Sequence, residues 1–487
     1  MIPVPMLAKA FRQPERFVAP DYELLPLRFL RYDQNRYLLT NLVGEYTIIG
    51  DTEMQDFVGH RLRPEMPLYD DLKAKHFLYD SVSDVAIELL ATKYRTKQSL
   101  LPNWTALHIF VVSLRCDHSC PYCQVSRVSQ DRKAFDMSRE TADRAIGLMF
   151  QSPCPVLKLE FQGGEALLNF EMVQYVVQGA KKRNDGRRLE FVIATNLSPL
   201  TDEMLIFCRE HEICLSTSLD GPRELHNANR PRPGQDSYER AVDGIRRART
   251  VLGPQAVSAL MTTTMRSLSM PREIIDEYIK QGFRSIFLRP ISPYGFALKS
   301  ASRIGYSTDA FLEFYRAGLE YILELNQQGI PLREEYATVV LRRALTPFPT
   351  GYVDLQSPSG LGSAVIVYNY DGDVYASDEG RMLAETHDKT FRLGNVHTNS
   401  YRELFLGSSI LTTLHDTMAE GIPGCCDCAY LPWCGTDPVF HYATQGDPIG
   451  HRPTSGFCQR NMGVFRLLVE MLEADTVTRR ILQEWAK

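Results

Sequence analysis

The sequence predicts an α/β protein with a partial (β/α)6 barrel at its centre. Between residues 101 and 335, six apolar strands alternate with six helices. The first hundred residues show short strands broken by turns, and residues 350–460 are rich in Gly, Pro, Asp and Cys. Repeated β/α units with continuously apolar strands are typical of a parallel sheet covered by helices. We therefore expect an N-terminal α+β unit (1–100), the barrel (101–335), a cysteine-rich extension (350–460) and a C-terminal helix (461–487).

The composition is that of an ordinary globular chain. Its 487 residues are 44% hydrophobic and 23% charged, with a formal net charge of −5. Acidic and basic residues are interspersed without a basic stripe, so we expect no nucleic acid partner. No apolar run approaches the ~20 residues of a membrane span, and residues 1–17 lack the apolar core of a signal peptide. We therefore predict a cytoplasmic protein that has no membrane partner.

Eleven cysteines in a cytoplasmic chain favour metal binding or catalysis over disulfides. Three of them, Cys154, Cys208 and Cys214, stand apart from the rest in apolar surroundings. We predict that these three are small core residues. The other eight lie in two clusters or just after the second.

The first hundred residues predict a small α+β unit. RFLRYDQNRYLLTNLVGEYTIIG predicts short strands, and EMQDFVGHRL and SDVAIELLATKYR predict helices, the last with Ser83 or Asp84 as N-cap. Such a unit can bind a leader peptide by adding a strand to an exposed sheet edge. The alternative is an extension that only packs against the barrel. On the first interpretation, removal of residues 1–100 abolishes leader binding and leaves the metal sites intact.

The predicted barrel strands are LHIFVVSLRC, VLKLEFQGG, RRLEFVIATNL, ICLSTSLDG, AVSALMTTT and FRSIFLRPI. Each precedes a helix; the first helix has a capping signal at Ser138, and the last is TDAFLEFYRAGLEYILELNQQG. Six units make a partial barrel instead of the full eight, and the chemistry of such sheets lies at the carboxyl ends of the strands. Beyond the barrel, VIVYNYDGDVYAS predicts a hairpin that turns at Asp371-Gly372, and MGVFRLLVEMLEADTVTRRILQEW predicts a helix.

The first cysteine cluster, CDHSCPYC, comprises Cys116, Cys120 and Cys123 and follows the first barrel strand. Thiolates ligate iron–sulfur clusters, and three of them hold three of the four irons of a [4Fe–4S] cube. The fourth iron is then open to an exogenous ligand, which is useful in a catalytic site. The alternatives are a zinc site with a distant fourth ligand, or three core cysteines.

The spacing C-x3-C-x2-C, with the aromatic Tyr122 before the last cysteine, resembles the radical S-adenosylmethionine (SAM) superfamily. The resemblance implies a [4Fe–4S] cluster that binds SAM at its open iron and cleaves it to a 5′-deoxyadenosyl radical, which abstracts hydrogen from the substrate. The GGE after the second strand, and polar residues mostly at later strand ends, resemble SAM-contact or pocket positions. These residues are Gly163, Gly164, Glu165, Asn196, Ser218, Asp220, Arg230 and Arg289.

The two glycines are expected to let the backbone approach the SAM amino group. For two of the other positions a purely structural role is open. Asp220 could cap a turn, and Arg230 could be a surface residue.

The second cysteine cluster, CCDCAYLPWC, resembles the SPASM extension that follows the barrel in many radical SAM peptide maturases. The resemblance implies one auxiliary [4Fe–4S] cluster with four protein ligands, at Cys425, Cys428, Cys434 and Cys458. A second auxiliary cluster is expected to be absent, because its ligand positions fall on Pro438, on Ser377 and near Gly360. Structural zinc at the same four cysteines is the alternative. Cys426 is left over.

Asp378 follows the hairpin at a position where some related enzymes carry a catalytic base. A base is needed if oxidation of a substrate radical also releases a proton. The alternative is a solvated turn carboxylate, because Glu379 and other acids lie in the same loop.

Taken whole, the chain resembles the radical SAM/SPASM maturases of the His-Xaa-Ser repeat peptide system. The resemblance rests on phrases such as LRCDHSCPYCQVSR, EFQGGEALLNF, STSLDGPRELHNANRPRPG and FLRPISPYGFA. It implies an enzyme that modifies a precursor peptide with a leader, beside a companion radical SAM protein and an electron donor such as a flavodoxin or ferredoxin. Two other interpretations stay open: sulfatase-maturase-like oxidation of Ser or Cys, and a non-catalytic scaffold for the companion protein.

Overall fold

The computed structural model describes residues 21–80, 84–123 and 131–487. Three parts of the sequence interpretation lie outside these residues. They are the signal-peptide prediction for residues 1–17, Ser83 as an N-cap, and the QVSR segment of the resemblance to radical SAM maturases.

The strands of the described residues are β1 (Glu23–Leu24), β2 (Leu27–Arg31), β3 (Arg36–Asn41), β4 (Tyr46–Gly50), β5 (Leu78–Tyr79), β6 (Leu107–Ser113), β7 (Val156–Gly163), β8 (Arg188–Thr195), β9 (Ile213–Ser218), β10 (Val257–Leu260), β11 (Ser285–Ile286), β12 (Arg333–Glu334), β13 (Val365–Tyr368), β14 (Asp373–Tyr375) and β15 (Arg392–Asn395). Eight of them form the central sheet in the order β10-β9-β8-β7-β6-β13-β14-β15. The first six strands in this order are parallel, and β14 and β15 are antiparallel. The predicted α/β fold with a parallel sheet is therefore confirmed.

The helices are α1 (Asp51–Val58), α2 (Pro67–Ala74), α3 (Val85–Lys97), α4 (Arg132–Phe135), α5 (Arg139–Met149), α6 (Phe170–Arg183), α7 (Asp202–Glu210), α8 (Arg223–Asn229), α9 (Ser237–Leu252), α10 (Pro271–Lys280), α11 (Phe296–Ile304), α12 (Thr308–Gln327), α13 (Glu335–Leu345), α14 (Asp378–Ala384), α15 (Tyr401–Phe405), α16 (Ser408–Asp416), α17 (Pro438–Gln445), α18 (Gly456–Ala474) and α19 (Thr476–Trp485). Among the described residues, none of these helices is both long and apolar enough to cross a membrane.

Helix α5 shows why the barrel helices form where the sequence predicts them. The Ser138 hydroxyl accepts a hydrogen bond from the Thr141 N–H at 3.1 Å, which caps the helix start. One face carries small and apolar residues at helical spacing, and this face is buried against the sheet: Ala142, Ala145, Ile146 and Met149.

The sixth predicted strand is much shorter than the sequence suggests. Strand β11 has two residues and pairs with β12 in a separate parallel sheet. The Leu288 N–H donates to the buried carboxylate of Glu334 at 3.0 Å instead of to a neighbouring strand. Pro290 has no N–H to continue a ladder. The Thr263 N–H, in the chain after β10, donates to Arg289 O of this segment at 2.9 Å.

The hairpin predicted at Asp371-Gly372 is present as β13 and β14, and it joins the barrel sheet. Strand β13 pairs in parallel with β6, so that Val365 lies opposite Leu107. The sheet therefore runs without a break from the barrel into the cysteine-rich extension.

The N-terminal unit has its own sheet, in the order β2-β3-β4, and its own small core around Phe57 and Leu72. It packs against the loop that carries the second cysteine cluster. The buried Thr40 hydroxyl donates to Ala429 O at 2.6 Å, and the Trp433 indole N–H donates to Gly44 O at 2.8 Å.

Two smaller predictions need correction. Cys154 and Cys208 are buried, but Cys214 is exposed, because Ile213 and Leu215 face the core and the alternation of a strand turns Cys214 to the other side. The single helix expected at 461–487 is two helices, α18 and α19. Asp475 divides them, and its carboxylate accepts hydrogen bonds from the N–H groups of Val477 and Thr478 in α19.

Candidate active site

The first cysteine cluster lies in the loop that follows β6, and backbone hydrogen bonds shape this loop. The Cys123 N–H donates to Cys120 O at 3.1 Å, which closes a turn between two of the three cysteines. The Ser119 N–H donates to Pro231 O at 2.7 Å, and the Phe296 N–H donates to Cys123 O at 2.9 Å. The loop is therefore held by the segment after α8 and by the first residue of α11.

Arg115 fixes the start of the cysteine loop. Its side chain is 4% exposed, and its guanidinium makes two hydrogen bonds to Asp136, at 2.7 and 2.8 Å. It also donates to Leu168 O at 2.7 Å. Two parallel bonds from a guanidinium to one carboxylate fix orientation as well as position.

The glycines of the GGE motif lie against the same loop. A Cβ on Gly163 would lie 2.0 Å from Ser113 O, and a Cβ on Gly164 would lie 2.4 Å from Arg115 O. No side chain fits at these distances, so both positions require glycine. The backbone that these glycines approach is that of the segment leading to Cys116.

Glu165 joins the ends of two strands. Its buried carboxylate accepts hydrogen bonds from the Leu167 N–H at 2.9 Å, the Thr195 hydroxyl at 2.6 Å and the Asn196 N–H at 2.7 Å. Burial raises the pKa of Glu165 to about 7, although these hydrogen bonds oppose the shift. Both carboxylate oxygens therefore already have protein partners.

Asp117 and His118 belong to a polar network beneath the cysteine loop. The Asn196 amide donates to Asp117 at 2.9 Å, and His118 Nδ1 lies 2.8 Å from the same carboxylate. His118 Nε2 lies 2.8 Å from the Ser237 hydroxyl. Burial would raise the pKa of Asp117, but hydrogen bonds from His118, Ser198 and Asn196 lower it overall.

This network bears on the zinc alternative. Cys116, Asp117 and His118 present three possible ligand atoms within 4.8 Å of one another. Because both ring nitrogens of His118 already have partners, this residue is a poor candidate for a fourth metal ligand.

Asp220, Tyr122 and Arg230 connect the cysteine loop to the end of β9. The Tyr122 hydroxyl donates to Asp220, and Arg230 Nε lies 3.2 Å from the other oxygen of that carboxylate. The Arg230 guanidinium lies over the Tyr122 ring, 5.3 Å from its centroid. Arg230 is therefore an interior residue, and Asp220, which has no exposed surface, is its counter-ion.

One cavity of about 590 Å³ opens over the carboxyl ends of the barrel strands and continues into the extension. All three cysteines of the first cluster line it. So do seven of the eight predicted SAM-contact residues: Gly163, Gly164, Glu165, Asn196, Ser218, Arg230 and Arg289. Asp220 is not among the residues that line the cavity, but its partners Arg230 and Tyr122 are.

The three thiols fit an iron–sulfur cluster in position and chemistry. They are partly exposed toward one cavity, and the thiol of Cys123 is among the groups that raise the pKa of Cys120. Burial is the main cause of that increase, to about 12. Such thiols stay protonated at neutral pH unless a metal stabilises the thiolate.

The four distal cysteines also face one another. Burial raises the pKa of Cys425 to about 11 and that of Cys434 to about 12, and the thiols of Cys428 and Cys458 contribute to both shifts. Cys458 lies in the first turn of α18, where its N–H donates to the Ser455 hydroxyl at 3.2 Å.

Cys426 lies beside this group. Its carbonyl accepts a hydrogen bond from Arg28 of the N-terminal unit at 2.7 Å. Its thiol lies 3.5 Å from the Asp427 carboxylate.

The positions expected to lack ligands of a second auxiliary cluster have structural roles. The Ser377 hydroxyl caps α14 by accepting from the Gly380 N–H at 3.1 Å. Pro438 is the first residue of α17, where a missing N–H costs nothing.

Asp378 lines the cavity, but it is not a free base. Arg381, whose side chain is 1% exposed, donates to its carboxylate at 3.0 Å. Glu160 of β7 also lines the cavity, and so do three acids of the extension that sequence reasoning did not single out as site residues: Asp354, Glu379 and Asp437. They come from three separate elements of the extension, so no spacing in the sequence could bring them together.

Residues 110–277 match the model of the Radical SAM superfamily. A cysteine-type anaerobic sulfatase-maturating enzyme of Clostridium perfringens is 23% identical over 62% of this chain and 80% of its own length. The chain spans about half of another relative, the radical SAM cyclopropyl synthase TigE of Paramaledivibacter caminithermalis, with 22% identity over 46% of that protein.

Two solved structures have the same fold. The structure of anSMEcpe with bound AdoMet and Cp18Cys peptide has a TM-score of 0.61 and 18% identity, covering 77% of this chain and 99% of that one. Streptococcus suis SuiB bound to the precursor peptide SuiA has a TM-score of 0.51 and 12% identity, covering 89% and 98%.

Proposed function

We propose that this protein, whose residues 110–277 match the model of the Radical SAM superfamily, cleaves SAM reductively and modifies a peptide by hydrogen abstraction. One observation carries the proposal. The three cysteines of the first cluster and seven predicted SAM-contact residues line one cavity, which continues into the cysteine-rich extension.

We assign Cys116, Cys120 and Cys123 to a [4Fe–4S] cluster with one open iron. When bound, this group supplies the electron that cleaves SAM and so starts radical chemistry. The chain's own residues hold the site: Arg115 and the paired glycines fix the cysteine loop, while Asp220 keeps the charge of Arg230 inside the protein. Arg230, Asn196, Ser218 and Arg289 are the side chains on the cavity wall proposed to contact SAM.

The peptide substrate is supported by the cavity and by two related structures. The cavity has the size of a small-molecule pocket, and it extends past the predicted SAM-contact residues to side chains of the cysteine-rich extension. Both anSMEcpe and SuiB have been solved with a peptide bound. The resemblance to His-Xaa-Ser system maturases makes a precursor peptide with such repeats our specific proposal, with a companion radical SAM protein and a flavodoxin- or ferredoxin-type electron donor.

We further assign Cys425, Cys428, Cys434 and Cys458 to one auxiliary [4Fe–4S] cluster. Zn–S bonds of about 2.3 Å bring four thiolates to roughly 4 Å from one another. Among the described residues, no three of these sulfurs lie within 4.8 Å of one another, a spacing that suits a larger cluster better than a single zinc ion.

Two partly buried cations, Arg343 against Cys434 and Lys97 against Arg343, support an anionic group at that place. Arg343 donates to the carbonyls of Trp433 and Cys434 at 2.9 and 3.2 Å, and Lys97 donates to Arg343 O at 2.6 Å. Burial lowers the pKa of both side chains. Glu45 opposes the shift at Lys97 and Glu420 opposes the shift at Arg343, and an iron–sulfur cluster with four thiolates is a further anion that would stabilise both cations.

For the leader peptide we propose the edge of strand β2. It is an outer strand of the N-terminal sheet, and Phe29 on it is 52% exposed. An exposed edge with free backbone groups is a template for an added strand. The test is a change on this edge, Phe29→Asp, with leader affinity as the readout; unchanged affinity contradicts the assignment.

Sulfatase-type oxidation of Ser or Cys is the second candidate activity, supported by the likeness to sulfatase-maturating enzymes and by the acids around Asp378. Mass spectrometry of a reacted peptide separates the candidates by the residue that changes. A scaffold without catalysis predicts no SAM cleavage at all.

The deciding experiment is anaerobic purification with iron, sulfide and EPR measurements on wild type and on the triple variant Cys116→Ala/Cys120→Ala/Cys123→Ala. About eight irons falling to about four, with loss of SAM cleavage, is the expected result for two [4Fe–4S] clusters. About four irons falling to none, with one zinc retained, contradicts the auxiliary cluster. If the wild-type protein has its full iron content and does not cleave SAM, the result contradicts the proposed enzymatic activity.

A further inference from the structure

The wall that the extension contributes to the cavity carries a group of polar side chains with no assigned role. Three of its carboxyl groups, together with one phenol from the barrel segment between β11 and α11, face the same space: Asp354, Glu379, Asp437 and Tyr294. We call these four residues the acidic subsite. We infer that the acidic subsite binds a protonated nitrogen of the peptide substrate, such as that of a basic side chain; this inference rests on the proposed function.

Tyr294 points to a missing partner. Its side chain is 2% exposed and lines the cavity, yet its hydroxyl has no hydrogen-bond partner among the described residues. Buried hydroxyls are nearly always hydrogen-bonded, so an unpaired one on a cavity wall indicates a position where a ligand donates or accepts.

The charge balance specifies the sign of the ligand. Asp378 is compensated by Arg381 at 3.0 Å, which leaves the three carboxyl groups of the acidic subsite. Two guanidiniums on the cavity wall, Arg289 and Arg460, oppose them. Glu160 of β7 also lines the cavity and also lies near Arg289, so the carboxyl groups outnumber these two guanidiniums, which favours a cationic ligand over an anionic one.

Arg460 is also engaged elsewhere. Its guanidinium lies 5.8 Å from the ring centroid of Phe440 and 5.5 Å from that of Phe457. Aromatic rings in these positions attract a cation, so Arg460 divides its charge between the rings and the carboxyl groups of Asp354 and Asp437.

The carboxyl groups destabilise one another in the absence of a cation. Burial raises the pKa of Glu379, and Asp354, Asp378 and Asp437 raise it further. Burial and Asp354 likewise raise the pKa of Asp437. A bound cation would relieve this repulsion.

The spacing favours an organic cation over a metal ion. Among the described residues, no three ligand atoms of this group lie within 4.8 Å of one another. A guanidinium or ammonium group, with three to five N–H donors, can reach separated acceptors that a single ion cannot.

The test uses anaerobically purified, iron-loaded enzyme and calorimetric titration with butylguanidinium and with butylurea, its uncharged counterpart of similar shape. We expect butylguanidinium to bind at least about tenfold more tightly, because hydrogen bonds to carboxylates are charge-assisted. Glu379→Gln and Asp437→Asn should each weaken this binding at least about fivefold. Glu273→Gln, on the exposed face of α10, is the matched control and should change nothing.

Equal binding of butylurea, or variants that bind butylguanidinium as the wild type does, overturns the inference. SAM carries its own cationic groups, so the titration is repeated with saturating SAM; displacement of butylguanidinium would assign the subsite to SAM and also overturn it. If the carboxyl variants lose iron, the variant Tyr294→Phe replaces them, because it removes only one oxygen from the acidic subsite. If this variant binds butylguanidinium as tightly as the wild type does, the result counts against the subsite. Cation binding without any SAM cleavage leaves the subsite standing and contradicts the proposed function instead.

Discussion

Asp220 shows how much a single buried carboxylate does in this site. It has no exposed surface, and it is the shared partner of Arg230 and of the Tyr122 hydroxyl. It also accepts a hydrogen bond from the Thr262 N–H at 3.2 Å. The sequence interpretation placed it among the SAM contacts, and in the structure it contacts two residues of the cavity wall, Arg230 and Tyr122.

Asp220→Asn should lower the free energy of unfolding by about 3 kcal/mol, because it leaves the buried charge of Arg230 uncompensated. Anaerobic urea unfolding of the iron-loaded protein measures this change. Asp202→Asn is the control: Asp202 pairs with Arg247 at 2.6 Å but is 80% exposed, and surface pairs contribute only about 0–1 kcal/mol. Equal effects of the two variants would contradict the assignment of Asp220 as an interior counter-ion.

At the scale of the elements, the cysteine loop after β6 keeps its shape only if the backbone at the end of β7 can approach it closely. Gly164→Ala adds a Cβ 2.4 Å from Arg115 O and 2.5 Å from Leu114 O, which forces the Cys116 loop away from the strand. We expect the variant to lose the iron of the first cluster, about four atoms per chain, while the distal iron stays.

Gly147→Ala is the control for this prediction. Gly147 lies within α5 with open space around its Cβ position, so alanine should stabilise the helix by about 0.5–1 kcal/mol and leave iron unchanged. Iron and sulfide analysis, together with EPR, measures the cluster content of both variants. Full iron in Gly164→Ala would show that the loop can shift without losing its metal.

Local patterns were enough to predict the strands β6 to β10, the cap at Ser138 and the hairpin at Asp371-Gly372. They were not enough where the length or pairing of a strand depends on a residue far away in the sequence. Strand β11 is short because Glu334 takes the Leu288 N–H, and β13 finds its neighbour in β6. The sequence near β11 does not indicate that Glu334 will bind there, and the sequence near β13 does not indicate that β6 will be its neighbour.

The same limit applies to the candidate site. The cysteines have a characteristic spacing, so the sequence alone singled them out. Glu379, Asp437 and Tyr294 belong to no characteristic spacing, because each is one polar residue in a turn or at a helix start. Only the fold brings them onto one wall of the cavity. Asp378, which the sequence did single out, is paired with Arg381.

At the scale of the whole molecule, the N-terminal unit supports the distal cysteines. Arg28, Thr40 and Gly44 all bond to the loop around Cys425 to Cys434, and Tyr46 packs edge-on against Trp433 with centroids 5.7 Å apart. These contacts argue against the expectation that residues 1–100 can be removed without harm to the metal sites.

We predict that deletion of residues 1–100 removes the distal iron and leaves about four irons per chain, because the loop loses the hydrogen bonds that shape it. Iron analysis and EPR of the truncated protein measure this outcome. Phe29→Asp, which changes only the exposed edge of β2, should keep both clusters. A truncated chain with full iron would mean that the cysteine loop is shaped without the N-terminal unit.

The pairing of β13 with β6 also has a consequence for the order in which the protein is made. During synthesis, β6 and the loop of Cys116 leave the ribosome long before Val365, the residue that will cover the outer edge of that strand. Pairings between segments so far apart in the chain form late and slowly. The nascent chain therefore carries an uncovered strand edge next to three reactive thiols, and insertion of iron is safest after translation has ended, when the edge is closed.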